Sequence, residues 1–305
     1  MNTSTFRSFV TVAEEGSFRA AARILNISQS ALSRQIISLE QELDAPLFER
    51  LPRGIALTSA GELFLRHARQ SISNLDLVKS DIGSLRGLRR GVVRVAAPES
   101  FMHFVLPDCL NELRRTYPGV DAEIRLNTTN GVIEDVREGR VDFGIAYNPE
   151  LDSEMLASYS VREKIVGIMR PDHHLATRKS LVIGDLVGVP LALPLSDSAT
   201  GVMIQKAASR YGVTLRKALE TSSVHLRVSM TLQSDLVGVV AYLTAWEMIS
   251  ERKLVAVPMR EKSFDQGSIA LFSLRGRRLS VAAETLQKMV HRDLQAVDFS
   301  GRIST

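Results

Sequence analysis

From Ser28 to Leu43 the chain reads "SQSALSRQIISLEQEL", and its polar residues recur at a helical spacing. At about 100° per residue, Ser30, Arg34, Ile37 and Gln41 fall on one side with Ser33 on the flank, while Leu32, Ile36, Leu39 and Leu43 fall on the other. Guanidinium, hydroxyl and carboxamide groups in such a row can hydrogen-bond to base edges and phosphates, and a guanidinium can do so through two parallel bonds.

Other chemistries find less support. His173-His174 in "RPDHHLA" could suggest a metal pair, but adjacent side chains on an extended chain point opposite ways, and no third ligand has suitable spacing. No G-x-S-x-G, Walker loop or G-x-G-x-x-G occurs. Cys109 is the only cysteine, which excludes an internal disulfide or a cysteine-based zinc site; its apolar helical surroundings predict a buried thiol. No catalytic residue, metal or cofactor is therefore assigned.

The elements that would hold the polar row can be read around it. Ser17 can cap a helix through Ala20, Ala21, Ala22 and Leu25, Asn26-Ile27-Ser28 breaks it, and Ser28 can cap the next. Small alanines allow the helices to cross closely. Two helices across a three-residue turn, the second with an outward polar face, form the helix-turn-helix that lays a recognition helix in the DNA major groove. In "APLFERLPRGIALTSAGE", Leu47-Phe48 can anchor to the helices, and Arg50, Arg53 and Gly54 make a basic turn before the strand-like Ile55-Ala56-Leu57. That is a wing, whose arginines reach phosphate or the minor groove.

Composition agrees. The 305 residues are 45% hydrophobic and 24% charged, enough for about two globular domains. Residues 1 to 90 hold twelve basic against nine acidic side chains, three of the chain's net +4, so the basic surplus lies where a polyanion would bind. The opening "MNTSTFRSFVTVAEEGSF" lacks an apolar core behind a basic head, and no stretch of 18 uncharged apolar residues occurs, so a cytoplasmic protein without a membrane partner is expected.

Phe9, Glu14, "GSF", "AAARILNISQSALSRQIISLEQEL" and "PLFERLPRGIALTSAGE" together resemble the N-terminal signature of LysR-type transcriptional regulators, almost without a gap from Phe6 to Glu62. The resemblance implies a dimeric to tetrameric DNA-binding protein that senses a small molecule in a C-terminal domain of periplasmic-binding-protein type, with RNA polymerase as a further partner. By position it implies contacts to double-stranded DNA from Gln29, Ser30, Ser33 and Arg34, and wing contacts from Arg50 and Arg53.

Ser59 and Glu62 have capping-box spacing, and the following segment runs without proline to Leu88. Phe64, Ala68, Ser71, Leu75, Val78, Ile82 and Leu85 alternate at four and three residues, a heptad seam on a helix roughly 40 Å long that asks for a partner helix. In the family this is the linker helix, paired across the dimer. The expected division is a winged helix-turn-helix domain at 1–58, a linker helix and hinge at 59–90, and an effector-binding domain at 91–305.

Past Gly91 the rhythm changes. "VVRVAAP", "DAEIRLN" and "VDFGIAY" read as strands, and "FVLPDCLNELRRTYP" and "GVIEDVREGR" as helices between them; such alternation predicts a parallel α/β sheet. A second series runs from about Arg162 through "KIVGIM", "PLALP", "GVMIQKAASRYG", "LRKALE", "SVHLRVSMTLQ", "VGVVAY" and "KLVAVP" to "GSIALFSL" and a terminal helix from Ser280. This fits two α/β lobes, lobe one near 91–161 and 266–305 and lobe two near 162–265.

In open α/β sheets a ligand sits beyond the carboxyl ends of strands, facing helix N-termini. The junctions concerned carry Glu99, Ser100 and Phe101; Asn127, Thr128 and Thr129; Tyr147 at the end of "VDFGIAY"; Ser196, Ser198 and Thr200; and Ser222. Each Ser or Thr there is also a good helix cap, so the argument for an effector site rests on their sharing one face. Where the family has a small-residue turn ending in proline, "QSDLVGVVAYLTAW" keeps Gly238 but has Tyr242, Leu243 and Thr244, which changes one wall of the cleft. Glu99 and Asp197 bring acid to helix ends that favour anions, so the effector is open among carboxylate, amine and zwitterion. Two other readings stand beside this one. A DNA-binding protein with a catalytic α/β domain would turn over a bound metabolite. A solute-binding module would lack DNA affinity and carry a secretion signal.

Overall fold

The computed structural model describes residues 3–51, 54–85, 90–265 and 267–297. These form two compact units, one mainly N-terminal and one mainly C-terminal.

The N-terminal unit runs α1 (Thr3–Glu15), α2 (Phe18–Leu25), α3 (Gln29–Leu43), β1 (Phe48–Leu51), β2 (Gly54–Leu57) and α4 (Ser59–Leu85). Ser17 caps α2 by accepting from the Ala20 amide, and Ser28 caps α3 by accepting from Ala31. Between them α2 ends on Asn26 in the left-handed conformation (φ 54°), which Asn tolerates better than most residues and which turns the chain sharply into α3. Ala21 and Ala22 are buried beside Leu32, Ile36, Leu39, Phe9 and Phe64, and the Phe9 and Phe64 rings meet edge to face at 4.9 Å.

The wing is tied to this core by backbone donors. Glu40 Oε1 accepts from the amides of Leu47 at 2.7 Å and Phe48 at 3.2 Å, fixing how β1 leaves the helices. β1 and β2 pair antiparallel, Phe48 with Leu57 through Leu51 with Gly54; residues 52 and 53 lie outside the described residues, and Gly54 takes φ +103°, where glycine is favoured.

Thr58, one residue earlier than the expected Ser59, caps α4: its hydroxyl accepts from Gly61 and donates to Pro46 O. The helix is followed to Leu85; residues 86–89 of the expected hinge lie outside the described residues. Its seam divides in two. Phe64 and Ala68 are buried in the helix-turn-helix core, whereas Val78 and Ile82 stand 50% and 48% exposed.

The C-terminal unit holds β3 (Arg90–Ala97), α5 (Val105–Thr116), β4 (Gly119–Leu126), α6 (Thr129–Arg137), β5 (Phe143–Tyr147), β6 (Met155–Glu163), β7 (Ile165–Met169), β8 (Leu191–Leu193), α7 (Ala199–Tyr211), β9 (Lys217–Glu220), α8 (Val224–Gln233), β10 (Val237–Ala241), α9 (Trp246–Ser250), β11 (Val255–Pro258), α10 (Lys262–Asp265), β12 (Gly267–Leu274) and α11 (Val281–Ala296). Two five-stranded sheets result, ordered β4-β3-β5-β12-β6 and β11-β7-β10-β8-β9.

The sheets are mixed rather than parallel as expected. β3 with β5, and β8 with β9 and β10, are parallel, but β12 is antiparallel to β5 and β6, and β7 to β10 and β11. The reversals fall on the strands by which the chain passes between the sheets. β6 itself was not foreseen, because "MLASYSVRE" is an edge strand with an open face and lacks the continuous apolar run of β5. Lys164 alone separates β6 from β7, so the two sheets are joined there by one residue.

Cys109 is buried, as its context predicts, and its Sγ donates to Asp293 Oδ2 at 3.3 Å. Burial, followed by the Asp293 hydrogen bond, raises its pKa far above the usual thiol range.

Candidate DNA interface and effector cleft

The core stripe of α3 faces inward through Leu32, Ile36 and Leu39, which turns Gln29, Ser30 and Arg34 to solvent, with Ser33 half-buried on the flank. Arg34 lies back along its helix, Nε donating to Ser30 O at 3.3 Å, and Ser30 Oγ lies 3.2 Å from Ser28 Oγ. Beside them Thr5, Ala31, Gln35, Ser38 and Glu42 line an open groove that Arg34 also borders. Ser8 Oγ donates to Gln35 Oε1 at 2.9 Å, fastening α1 to α3 behind that face. Arg53 and the Arg50 side chain lie outside the described residues.

In the C-terminal unit the predicted cleft residues separate by what holds them. Asn127 donates from Nδ2 to Asp135 at 3.2 Å and accepts the Thr128 amide at 2.9 Å, and Thr128 accepts from Gly131, so both organise the start of α6. Thr129 Oγ1 donates to Tyr147 O at 3.5 Å, bringing these two together. Ser198 caps α7 by accepting from Gly201. Thr200 is half-buried in the first turn of α7, Ser100 is half-buried, and Phe101 is buried.

Ser196 is drawn away from the rest. Its hydroxyl donates to Glu220 at 2.6 Å and accepts from Lys217 at 2.8 Å, at the edge of a hollow of about 240 Å³ between α7 and the β8–β9 edge. Ser222 is exposed, and the neighbouring Ser223 caps α8.

Glu99 makes a hydrogen-bonded contact between lobe one and lobe two. It sits in a short 3-10 turn after β3, and its carboxylate accepts from Ser223 Oγ (3.1 Å), the Val224 amide (2.6 Å) and the His225 amide (3.4 Å). The rings of His103 and His225 stand 5.3 Å apart alongside it, and those of Phe104 and Trp246 5.7 Å apart. Trp246 also packs on Tyr242, at 5.9 Å, in the segment that replaces the family's proline turn.

At the β6–β7 crossing Glu163 is buried, its Oε1 accepting from the Lys164 amide. Burial pushes its pKa up to about 8, against the backbone amides of Lys164, Leu243 and Tyr242. The Tyr147 hydroxyl is also pushed well up, by burial first and then by the nearby Glu163 charge.

Sequence reasoning missed Ser223, His225, Arg227 and Glu163. Ser223 stands next to the predicted Ser222, but nothing local indicates that its helix meets Glu99, which precedes it by 124 residues. At His173-His174 the opposite-pointing geometry expected of adjacent side chains does not hold. His173 and His174 lie in a turn, not an extended segment, with rings 4.3 Å apart, and His173 Nδ1 accepts the Leu175 amide. Among the described residues no group of three or more His, Cys, Asp or Glu could hold a metal ion, and no helix is long and apolar enough to cross a membrane.

A winged helix-turn-helix joined to a two-lobed α/β unit defines a class of ligand-responsive DNA-binding regulator. Residues 3–62 match the bacterial regulatory helix-turn-helix protein model of the lysR family, and residues 86–295 match the LysR substrate binding domain. The chain belongs to the LysR family of transcriptional regulators, whose members combine a DNA-binding helix-turn-helix with an effector-binding domain. It is 33% identical over 203 residues to an uncharacterized regulator, YbhD, of Escherichia coli K12, a match spanning 67% of this chain and 64% of that protein. In fold it is similar to a full-length OxyR variant of Pseudomonas aeruginosa (TM-score 0.74, 19% identity, 98% and 96% of the two chains). It is also similar to full-length CbnR complexed with its target DNA (TM-score 0.60, 19% identity, 96% and 100%).

Proposed function

We propose that this regulator reads DNA through the solvent face of α3 and the wing, and that a small molecule between the two lobes of the C-terminal unit modulates that binding. Gln29, Ser30, Ser33 and Arg34 are the groove-facing residues, and Arg50 and Arg53 the wing residues. Glu99, Ser100, Asn127, Thr128, Thr129, Tyr147, Ser198, Thr200 and Ser222 border the effector cleft. Phe101, buried in the same short turn as Glu99, and Ser196 belong to the same site.

The observation that carries this reading is the exposed Gln29–Ser30–Arg34 face on a helix whose opposite stripe is buried and whose N-terminus is capped. Such a helix can enter the groove without giving up core contacts. The protein acts in the cytoplasm as a dimer or tetramer paired through the exposed Val78 and Ile82 of α4, and RNA polymerase is a further partner at the promoter. The domains divide near 58 and 90, and the C-terminal unit binds its ligand without turning it over.

Selection from a pool of random duplexes tests the reading. A single enriched motif, with two half-sites spaced by about one helical turn or a multiple of it, is the expected result. Retention of all sequences alike would leave only electrostatic binding and remove the recognition helix from its role.

A further inference from the structure

The first turn of a helix leaves N–H groups without partners inside the helix and carries partial positive charge. In α8 those groups are taken up from outside. Glu99 Oε2 accepts the Val224 amide, Glu99 Oε1 accepts the His225 amide and the Ser223 hydroxyl, and Ser223 Oγ accepts the Leu226 amide. A cap of this kind ordinarily comes from the residue next to the helix. Here the carboxylate comes from the other lobe, 124 to 126 residues earlier.

A second feature points to the same place. Arg227, in the following turn, is only 6% exposed, and its Nε has no hydrogen-bond partner among the described residues. Burial lowers its pKa to about 10, with the Glu99 charge acting in the opposite direction. A buried guanidinium with an unused donor, on the helix whose first N–H groups and capping hydroxyl hold Glu99 and close enough to feel that carboxylate's charge, is a setting for an oxyanion.

We propose that Glu99 is an intramolecular ligand of this anion seat, and that an effector bearing a carboxylate or other small oxyanion acts by displacing it and so unfastening lobe one from lobe two. The proposal rests on the reading of the cleft as the effector site. Displacement by an oxyanion exchanges acceptor for acceptor and keeps the Ser223, Val224 and His225 donors satisfied. An ammonium group would have to draw Glu99 off α8 and would strand those donors. Glu99 therefore sets both the chemical class of effector and its threshold, because a ligand shifts the lobes only by what it gains over the carboxylate already there.

Acetate is the probe, used with the full-length chain. Hydrogen exchange of the amides at 224–226 is compared in the wild type, Glu99→Ala and Glu99→Gln, in about 0.1 M sodium acetate or in sodium chloride of equal ionic strength. In chloride, Glu99→Ala should exchange about tenfold faster than wild type at Val224 and His225, and acetate should restore protection by filling the vacated position. Wild type should not respond to acetate. Glu99→Gln, which keeps the shape but not the charge, should fall between. Protection in Glu99→Ala equal to wild type, or fast exchange that acetate does not slow, would overturn the proposal. Global loss of protection in Glu99→Ala is recognised from the β5 and β10 amides, and Glu99→Gln then decides: wild-type exchange in chloride overturns the proposal, and local acceleration at 224–226 supports it. The exchange data do not involve DNA. Failure of the duplex selection with acetate protection intact would remove the regulatory reading alone, and the reverse would remove the Glu99 seat alone.

Discussion

Glu99 and Val224 meet carboxylate to amide at 2.6 Å, the start of one lobe's first helical turn bound to the start of a helix in the other. With the His103–His225 and Phe104–Trp246 contacts beside it, this bond makes the segment after β3 the part of lobe one that answers to α8 and α9. A molecule entering there must deal with that carboxylate first.

The β6–β7 crossing predicts a pH dependence. Glu163 keeps its proton in the folded chain up to about pH 8, whereas the unfolded chain loses it near the ordinary 4.5. The folded state then binds more protons between those values, so this contribution to stability is complete below about 4.5, falls as pH rises and is gone above about 8. Urea midpoints between pH 6 and 8 should decline for the wild type and decline less for Glu163→Gln. Parallel declines would show that Glu163 is ionised in the fold.

Gly61 lies where α4 passes the start of the wing, and a Cβ there would meet Leu47 O at 2.1 Å. Gly61→Ala must push backbone against backbone, at a cost of about 1 to 3 kcal/mol despite alanine's better helix propensity. Chemical denaturation followed through the N-terminal unit should show the loss; a more stable variant would mean the chain yields there.

The seam of α4 supports a prediction about assembly. Val78 is 50% exposed in the single chain, so Val78→Glu should fold normally but bury an unpaired charge on pairing. Sedimentation should show self-association weakened by about tenfold or more. An unchanged oligomer would place the interface elsewhere.

Thr128 and Thr200 should behave differently. Thr128 caps α6, so Thr128→Val should lower stability by about 1 kcal/mol through the cap alone. Thr200 is half-buried in the first turn of α7, so Thr200→Val should leave the melting temperature unchanged. It should reduce the thermal shift given by any metabolite found to stabilise the wild type, a shift worth roughly 2.7 kcal/mol at 100 times its Kd. An equal shift in both proteins would make Thr200 no more than a helix residue.

The N-terminal unit was legible almost residue by residue, because its signals are local. Ser17 and Ser28 as caps, Asn26 as the break, and Leu32, Ile36 and Leu39 as the buried stripe all depend on neighbours within a turn or two. The heptad seam was read as a single feature, but Phe64 and Ala68 serve the domain core while Val78 and Ile82 face outward. A heptad pattern cannot tell a partner helix from its own domain. In the C-terminal unit strands and helices follow from pattern, "GSIALFSL" as β12 among them, yet β6 and the antiparallel direction of β12 do not, since strand direction is set by pairing across about 100 residues. The cleft is read from Ser and Thr residues that are also good helix caps, and several of them are caps. What joins the lobes is the pairing of Glu99 with Ser223, Val224 and His225, a long-range contact that no local signal encodes.

Sequence reading by α3 is tested most directly at Arg34. Fluorescence anisotropy of the selected duplex and of a scrambled one should be compared for wild type and Arg34→Ala. A bidentate base contact predicts a loss of about 1 to 3 kcal/mol on the selected duplex, confined to one base position, with little change on scrambled DNA. Equal losses on both duplexes would reduce Arg34 to a phosphate contact, and no loss on either would contradict the assignment of α3 as the recognition helix.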